Sequence, residues 1–235
     1  KTIYYFPQDI ISLPIEELIA HLKKKPAMKA TKIKELNSSD LEIYEKDFHD
    51  FKKRKDLEKV VLITREEYQL WDHQDEYSGI LPSTHFFIKA LTFGSGFPYG
   101  LWNHQSPINL AGATPEILYH KLKNKIFTYA LAGTSSLSGG EKLLKSPKDL
   151  HEHEIVIKDI QEKLSSLTSK IEVSKTYLYP FKDLVHLKTD IVGELRDEDK
   201  MNIQSILKEL TPTAALGGYP HQKSQDFLKK SSYFQ

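Results

Sequence analysis

The chain has 235 residues, 33 Lys and Arg against 32 Asp and Glu, and no cysteine. The near-zero net charge argues against a nucleic-acid-binding protein, the hydrophobic fraction of 39% argues against a disordered one, and the missing cysteines exclude disulfides and thiolate chemistry. No apolar run approaches the ~18 residues of a membrane span, and the start lacks signal-peptide features, so we expect a cytoplasmic protein without a membrane partner.

Short helices and strands are predicted along the first hundred residues. Residues 3–6 predict a strand, and residues 12–25 predict a helix that ends before Pro26. The capping-box spacing of Ser39 and Glu42 predicts the start of a second helix. The apolar stripe of that helix comprises Leu41, Tyr44, Phe48 and Phe51.

The next region gives weaker signals. The β-branched run at residues 59–64 predicts a buried strand. Residues 66–82 have mixed polarity and predict a helix followed by a loop, residues 85–92 predict a strand, and the glycines of residues 93–100 predict turns.

Stronger patterns follow in the second half of the chain. Residues 117–122 and 126–131 predict a hairpin, and Pro147 begins a long helix to about Leu167 that is apolar on more than one side and therefore buried between layers. The remaining segments predict a loop at 133–140, strands at 171–195 broken at Pro180, a helix at 203–210 and a loop at 217–220. Without regular strand–helix alternation, this order predicts a single α+β domain over residues 1–235 with an antiparallel sheet.

Three polar residues in unusual surroundings are candidates for chemistry. Lys59 begins an apolar run, where it either reaches water at a strand end or is partly buried and acts as a base. Glu116 follows Pro115 in a rigid turn, where it is either a surface residue or a carboxylate aimed into a site. His186 lies between apolar neighbours and is either a core histidine or a site residue.

The run His151-Glu152-His153-Glu154 suggests a metal site at the start of the long helix. Side chains two residues apart point to nearly opposite sides of a helix, so the two histidines cannot easily share one ion. A single carboxylate, from Glu152 or Glu154, acting with substrate oxygens and water suits Mg²⁺ better than a two-histidine zinc site.

Six short segments between about residues 55 and 222 form a larger pattern. They are Lys59–Arg65, Gly112–Glu116, Leu131–Thr134, Lys148–His153, His186–Thr189 and Pro212–Pro220. In this order they resemble the chorismate-utilising enzymes, a family that includes isochorismate, salicylate and anthranilate synthases. The resemblance implies an α+β fold with a curved antiparallel sheet flanked by helices. It is nearest to isochorismate synthase, which converts chorismate to isochorismate in menaquinone or siderophore synthesis.

The resemblance also implies a role for individual residues. Lys59 matches the general base that activates water, and Glu116 matches the acid that protonates the departing ring hydroxyl. Glu152, rather than Glu154, matches a ligand of Mg²⁺. The substrate-binding positions it implies are Gly133, Thr134, His186, Thr213 and Ala215.

Two further expectations follow from the resemblance. Ammonia-using members usually carry glutamine where this chain has Lys59, so we expect no glutamine amidotransferase subunit as a partner. The family domain normally continues past the Pro212–Pro220 loop with further substrate and Mg²⁺ ligands, so we expect residues 1–235 alone to be nearly inactive and to self-associate. The alternatives are a salicylate synthase and a non-catalytic binding or regulatory protein of the same fold.

Overall fold

The computed structural model describes residues 14, 16–17, 20, 29–34, 38–63, 67–71, 88–93, 96–101, 110–196 and 202–230. The chain divides into two compact units. The first contains Lys1–Thr31 and Tyr68–Thr114, and the second contains Lys32–Glu67 and Pro115–Gln235. Every candidate site residue named from the sequence lies in the second unit. The strand predicted at residues 3–6 and most of the helix predicted at 12–25 lie outside the described residues.

The first unit holds the strands β3 (Phe97–Leu101) and β4 (Leu110–Thr114), which pair antiparallel with Phe97 opposite Thr114. Two earlier strands, β1 (Lys29–Lys34) and β2 (Glu67–Trp71), form a separate two-stranded sheet. The turns predicted across residues 93–100 therefore give way to strand from Phe97 onward.

A five-stranded antiparallel sheet is the centre of the second unit. Its order is β5-β6-β9-β7, and β8 also pairs with β9. The strands are β5 (His120–Leu122), β6 (Lys125–Ser136), β7 (Thr168–Val173), β8 (Tyr177–Phe181) and β9 (Leu184–Leu195). Buried and less buried residues alternate along β9, so one face of the sheet packs inward. The α+β class with antiparallel pairing is confirmed.

The helix that begins at Pro147 and a short helix before it pack on the inward face of this sheet. The helices with described bounds are, in chain order, α1 (Ser38–Lys53), α2 (residues 88–92, in the first unit), α3 (Gly140–Leu143), α4 (Pro147–Leu167), α5 (Ile203–Leu210) and α6 (His221–Lys230). Helix α4 begins at the predicted proline, and the Ser146 side chain accepts a hydrogen bond from the Asp149 amide at 3.3 Å. Its apolar side chains pack on β6, β9 and α5, and the main core comprises Ile126, Ala130, Ile155, Val156, Ile160, Leu164, Leu167, Ile191, Leu195, Ile206, Leu210, Ala214 and Tyr219.

The strongly patterned predictions are confirmed. Strands β5 and β6 form the expected hairpin, with Lys123 in the left-handed region (φ 53°) at its turn. The first strand is shorter than predicted, because β5 begins at His120 and residues 117–119 are not strand. Helices α4 and α5 match their predicted bounds. Helix α1 forms as expected, but Leu41, Tyr44 and Phe48 of its apolar stripe are 37–49% exposed, and Phe51 is the member that packs edge-on against Phe227.

Other predictions are wrong, for identifiable reasons. Residues 59–63 form no strand, because their one ladder contact is a bridge between Lys59 and Tyr219. The helix expected within residues 66–82 is the strand β2 at its start, and the strand expected at 85–92 is helical over residues 88–92. Tertiary pairing decides short segments of this kind, and their local composition does not.

Two breaks predicted from glycine and proline are also misplaced. Residues 133–136, expected in a loop, continue β6 through a bulge at Gly133, and helical turns follow at Leu137–Gly139 and Gly140–Leu143. Strand β8 continues through Pro180 to Phe181, and the chain turns at Lys182 with φ 54°. Proline is tolerated there because β8 pairs only with β9 among the described strands.

Candidate active site

Lys59 is positioned through its backbone by the loop between α5 and α6. The amides of Glu58 and Lys59 both donate to the Tyr219 carbonyl, at 2.9 and 3.0 Å, and the Tyr219 amide donates back to the Lys59 carbonyl at 2.8 Å. Gly218 has φ 91°, and a Cβ there would lie 2.4 Å from the Lys59 carbonyl oxygen. Glycine is therefore required for this close approach.

Helix α4 holds that loop in place. The buried Asp159 carboxylate accepts hydrogen bonds from the Ala214 amide at 2.7 Å and from the Lys163 ammonium at 2.9 Å. The Tyr219 hydroxyl donates to the Glu162 carboxylate, whose oxygens lie 2.8 and 2.9 Å away. The contacts of Ala214 and Tyr219 join α4 to the loop that pairs with Lys59, so the long helix helps to fix the position of Lys59.

The side chain of Lys59 contacts Glu152 and acts electrostatically on Glu116, two of the predicted site residues. Its ammonium lies 3.1 Å from Glu152 Oε1, with the lysine side chain 11% exposed and that of Glu152 37% exposed. Burial raises the pKa of Glu116, and the positive charge of Lys59 opposes this rise. The structure therefore brings the predicted base, the predicted acid and the predicted metal ligand together. The low exposure of Lys59 disfavours the alternative of a lysine that simply reaches water.

The turn that carries Glu116 is hydrogen-bonded to Tyr129, a residue of β6. The Tyr129 hydroxyl donates to the Pro115 carbonyl at 2.6 Å and accepts from the Ile117 amide at 3.1 Å. Glu116 is the residue between these two contacts. Its environment is consequently set by β6 as well as by the rigid Pro115.

Gly133, Thr134 and His186 also come together. Gly133 (φ 78°) is the extra residue of a bulge in β6, after which Thr134 stands opposite His186 on β9. The Thr134 hydroxyl lies 2.9 Å from His186 Nδ1. Burial lowers the pKa of His186, which favours the neutral ring. Its buried Nε2 has no hydrogen-bond partner within the described part of the chain, so this atom could face a ligand.

The remaining two predicted substrate residues lie in the α5–α6 loop. Thr213 is buried, and its carbonyl accepts from the amides of Leu216 and Gly217 at 3.1 and 2.8 Å. Ala215 is half-buried beside the main core. Thr213 thus stabilises the turn of the loop, and Ala215 packs against the core. Contact of either residue with a substrate stays a prediction.

The histidines next to Glu152 do not form a metal pair. His151 is exposed, whereas His153 is buried and its Nε2 lies 2.8 Å from the Thr189 hydroxyl. In the described ranges, no three His, Asp or Glu side chains converge on a point that could hold a metal ion by themselves. Glu152 alone would therefore need oxygens from other sources to complete a coordination sphere.

Sequence reasoning missed the residues that hold the site in shape. Asp159, Lys163 and Tyr129 were not singled out, although the i, i+4 spacing of Asp159 and Lys163 is a signal for a helical ion pair. Tyr129 offered no local signal, because its partners lie 12 and 14 residues away along the chain.

Lys59, Glu116 and Glu152 come from three of the six segments on which the family resemblance rests, and the structure brings them together beside an antiparallel sheet. Residues 13–235 match the family described as chorismate binding enzyme, and the chain belongs to this family.

Two relatives carry more specific names. The chain is 30% identical over 187 residues to isochorismate synthase MenF of Haemophilus influenzae, covering 76% of this chain and 41% of that protein. It is 34% identical over 128 residues to the salicylate biosynthesis isochorismate synthase of Pseudomonas aeruginosa, covering 51% and 26%. The chain therefore spans less than half the length of these two relatives.

The solved structure of an isochorismate synthase, DhbC from Bacillus anthracis, shares the fold. It superposes with a TM-score of 0.70 at 23% identity, over 90% of this chain and 57% of that one. This likeness confirms the fold expected from the resemblance. Within the described ranges, every helix is too short or too polar to cross a bilayer.

Proposed function

We propose that this chain carries the reacting centre of an isochorismate synthase, which converts chorismate to isochorismate. Water adds at one ring carbon while the hydroxyl leaves from another, so the reaction needs a base for the water and an acid for the leaving group. The observation that carries the proposal is the meeting of Lys59 with Glu116 and Glu152. The names of the two relatives support it.

Glu116 suits the part of the acid. Hydroxide is a poor leaving group unless it is protonated, and burial raises the pKa of Glu116 so that more of the protonated form persists toward neutral pH. The rigid Pro115 and the two Tyr129 hydrogen bonds restrict where its carboxyl can point.

Lys59 suits the part of the base, which removes a proton from the attacking water. Its side chain is 11% exposed, and its backbone makes two hydrogen bonds with Tyr219, so the residue is held in place beside Glu152. To act as a base it must first lose its own proton, and the Glu152 carboxylate is the charged group that it contacts.

Glu152 suits the part of a Mg²⁺ ligand. Mg²⁺ prefers carboxylate oxygen and is commonly held by one or two carboxylates together with substrate oxygens and water. The Glu152 carboxylate is 37% exposed, which leaves it accessible. When bound, the ion would neutralise the charge of a substrate carboxylate.

The substrate would lie against the bulge of β6. The backbone of Gly133, the Thr134 hydroxyl and the neutral His186 ring offer polar groups to a ring that carries two carboxylates and a hydroxyl. Thr213 and Ala215 would contribute from the α5–α6 loop. Because Lys59 stands where ammonia-using members usually have glutamine, we expect water to be the nucleophile. We therefore expect no glutamine amidotransferase subunit as a partner. A cytoplasmic location and a place in menaquinone or siderophore synthesis are part of the same proposal.

The test compares Lys59→Ala and Glu116→Gln in the intact native protein that contains this chain. Purified protein is incubated with chorismate and Mg²⁺, and isochorismate, salicylate and pyruvate are separated by chromatography. We expect isochorismate from the wild type and a loss of at least about 100-fold in either variant, the scale of one acid or base.

Glu154→Gln is the matched control, since it removes an exposed carboxylate of the same helix. Wild-type turnover in Lys59→Ala or Glu116→Gln would refute the assigned roles. Salicylate and pyruvate as the main products would refute the proposed reaction in favour of a salicylate synthase.

A further inference from the structure

Tyr129 is the residue outside the predicted site that is most closely tied to it. Its hydroxyl uses both of its hydrogen-bonding capacities on the turn around Glu116, as donor to the Pro115 carbonyl at 2.6 Å and as acceptor from the Ile117 amide at 3.1 Å. The two contacts flank Glu116 on either side. A single rigid side chain thus bridges the backbone before and after the carboxyl group.

The ring of Tyr129 is itself firmly supported. It is 8% exposed, and the Lys188 ammonium lies 4.1 Å from its centroid. Asp190 holds that ammonium at 3.2 Å and also accepts a hydrogen bond from the Tyr177 hydroxyl at 2.9 Å. A cation over the face of a buried ring is an attractive contact, so Lys188 and the burial of the ring keep Tyr129 in one place.

Burial raises the pKa of the Tyr129 hydroxyl, so it remains a hydrogen-bond donor at neutral pH. The Pro115 carbonyl requires a donor and the Ile117 amide requires an acceptor, and this one hydroxyl serves as both. Removal of the hydroxyl would leave a carbonyl and an amide that must find other partners or open to water.

We propose that Tyr129 is a positioning residue that clamps the turn bearing Glu116 and so fixes the direction in which its carboxyl group points. This inference rests on the proposed function, in which Glu116 is the acid. Tyr129 does not contact the substrate in this scheme and acts through Glu116. Its role is therefore visible in the rate of the chemical step and in the order of the turn.

The test is Tyr129→Phe in the intact native protein, with Tyr177→Phe as the matched control. Both substitutions remove one hydroxyl beside Lys188, but only the first removes bonds to the turn. For Tyr129→Phe we expect kcat to fall about 10- to 100-fold with KM for chorismate changed less than about 3-fold, as for a misplaced catalytic group. For Tyr177→Phe we expect kcat within about 2-fold of the wild type.

Hydrogen exchange of the Ile117 amide is the second measurement. Loss of its acceptor should speed exchange by at least about 10-fold in Tyr129→Phe and leave it unchanged in Tyr177→Phe, at a temperature where both variants are folded. An unchanged exchange rate, a wild-type kcat, or a loss confined to KM in Tyr129→Phe would overturn the clamp.

Glu116→Gln, measured in parallel, separates this inference from the proposed function. If Glu116→Gln is inactive while Tyr129→Phe keeps wild-type kcat, the clamp is wrong and the acid assignment stands. If Glu116→Gln keeps wild-type turnover, or the native protein forms no isochorismate, the proposed function fails and the clamp is judged by the Ile117 exchange rate alone.

Discussion

Helix α4 takes part in two lysine–carboxylate pairs of similar length in different surroundings. Lys163 and Asp159 are 2.9 Å apart with side chains 11% and 3% exposed, whereas Lys59 and Glu152 are 3.1 Å apart with side chains 11% and 37% exposed. The two lysines are equally buried, so the pairs differ in the carboxylate. Asp159 is enclosed, and Glu152 is open to solvent on one side.

The surroundings of the two pairs explain their parts. Around the first pair, the Ala214 amide donates to Asp159 and Lys163 donates to the Pro212 carbonyl, so its hydrogen bonds hold the α5–α6 loop. Near the second pair lies the half-buried Glu116, where burial raises the pKa of the carboxyl group and the positive charge of Lys59 lowers it. The enclosed Lys163–Asp159 pair, whose groups are both hydrogen-bonded, stabilises the loop conformation. In the Lys59–Glu152 pair the carboxylate is accessible, so it can bind a ligand.

The largest effect on stability should come from Asp159→Asn. It leaves the Lys163 ammonium without its charged partner in a buried place, and breaking such a pair costs about 3–5 kcal/mol in the free energy of unfolding. Urea denaturation of the variant and the wild type measures this difference. A cost below about 1 kcal/mol would show that the enclosed pair is not structural and would remove the contrast with Lys59–Glu152.

The next largest effect should come from Gly218→Ala, at the link between the two pairs. The residue has φ 91°, and the new Cβ would meet the Lys59 carbonyl, so we expect a cost of about 1–3 kcal/mol. Gly217→Ala is the control, because its φ is not in the left-handed region and its Cβ would meet side chains at 3.0 Å or more. Equal unfolding midpoints for the two variants would contradict the close approach seen here.

Glu152→Gln should change stability little, by about 1 kcal/mol or less, because partly exposed ion pairs contribute little. Its effect should appear in Mg²⁺ binding, which calorimetric titration of the intact protein with chorismate present would show to be weakened. Glu154→Gln should leave the Mg²⁺ affinity near that of the wild type. If both variants lose affinity equally, Glu152 is not the ligand-bearing member of the second pair.

The smallest effect should be a dependence of the free energy of unfolding on pH that is due to Glu116. It is small because the charge of Lys59 offsets part of the rise in pKa that burial causes. The folded state raises the pKa of this carboxyl, so the native protein binds more protons than the unfolded chain between the unfolded and the folded pKa. Glu116 therefore contributes stability that is complete below the unfolded pKa and is lost as pH rises through the folded pKa. Glu116→Gln should lack this decline, which thermal unfolding across pH 4–8 would test. A wild-type curve parallel to that of the variant would contradict it.

The parts of the fold that could be predicted are those whose pattern repeats over many residues. Helix α4 and the β5–β6 hairpin have long apolar periods and clear end signals, such as Ser146-Pro147 and the turn at Lys123. The run at residues 59–64 has strand-like composition but no neighbouring strand along its described part, so its pattern predicted the wrong structure. Composition reports what a segment prefers, and pairing depends on which partner is within reach.

The candidate site shows the same limit. Lys59 and Glu116 stood out because each is polar in an apolar or rigid context, and the family resemblance selected Glu152 over Glu154. The structure brings the three residues together. Asp159 serves an amide 55 residues away, and Tyr129 serves a turn 12 to 14 residues away. Such long-range contacts leave no mark within one segment, so they could be found only once the chain was folded. The i, i+4 spacing of Asp159 and Lys163 signals only the ion pair between them.

The bulge at Gly133 shifts by one residue the alternation of side chains between the two faces of strand β6. Ala132 stands opposite the buried Leu187, and the next pair is Thr134 with His186, so one residue is passed over without a partner. Because side chains alternate from face to face, a strand of even spacing would turn Thr134 toward the core and away from the histidine. The extra glycine therefore keeps Thr134 on the face of His186, and a strand that paired Gly133 itself with His186 would invert the faces of the residues that follow. The one unpaired residue at this bulge is thus part of the site, because it decides which side chains of β6 share a face with His186.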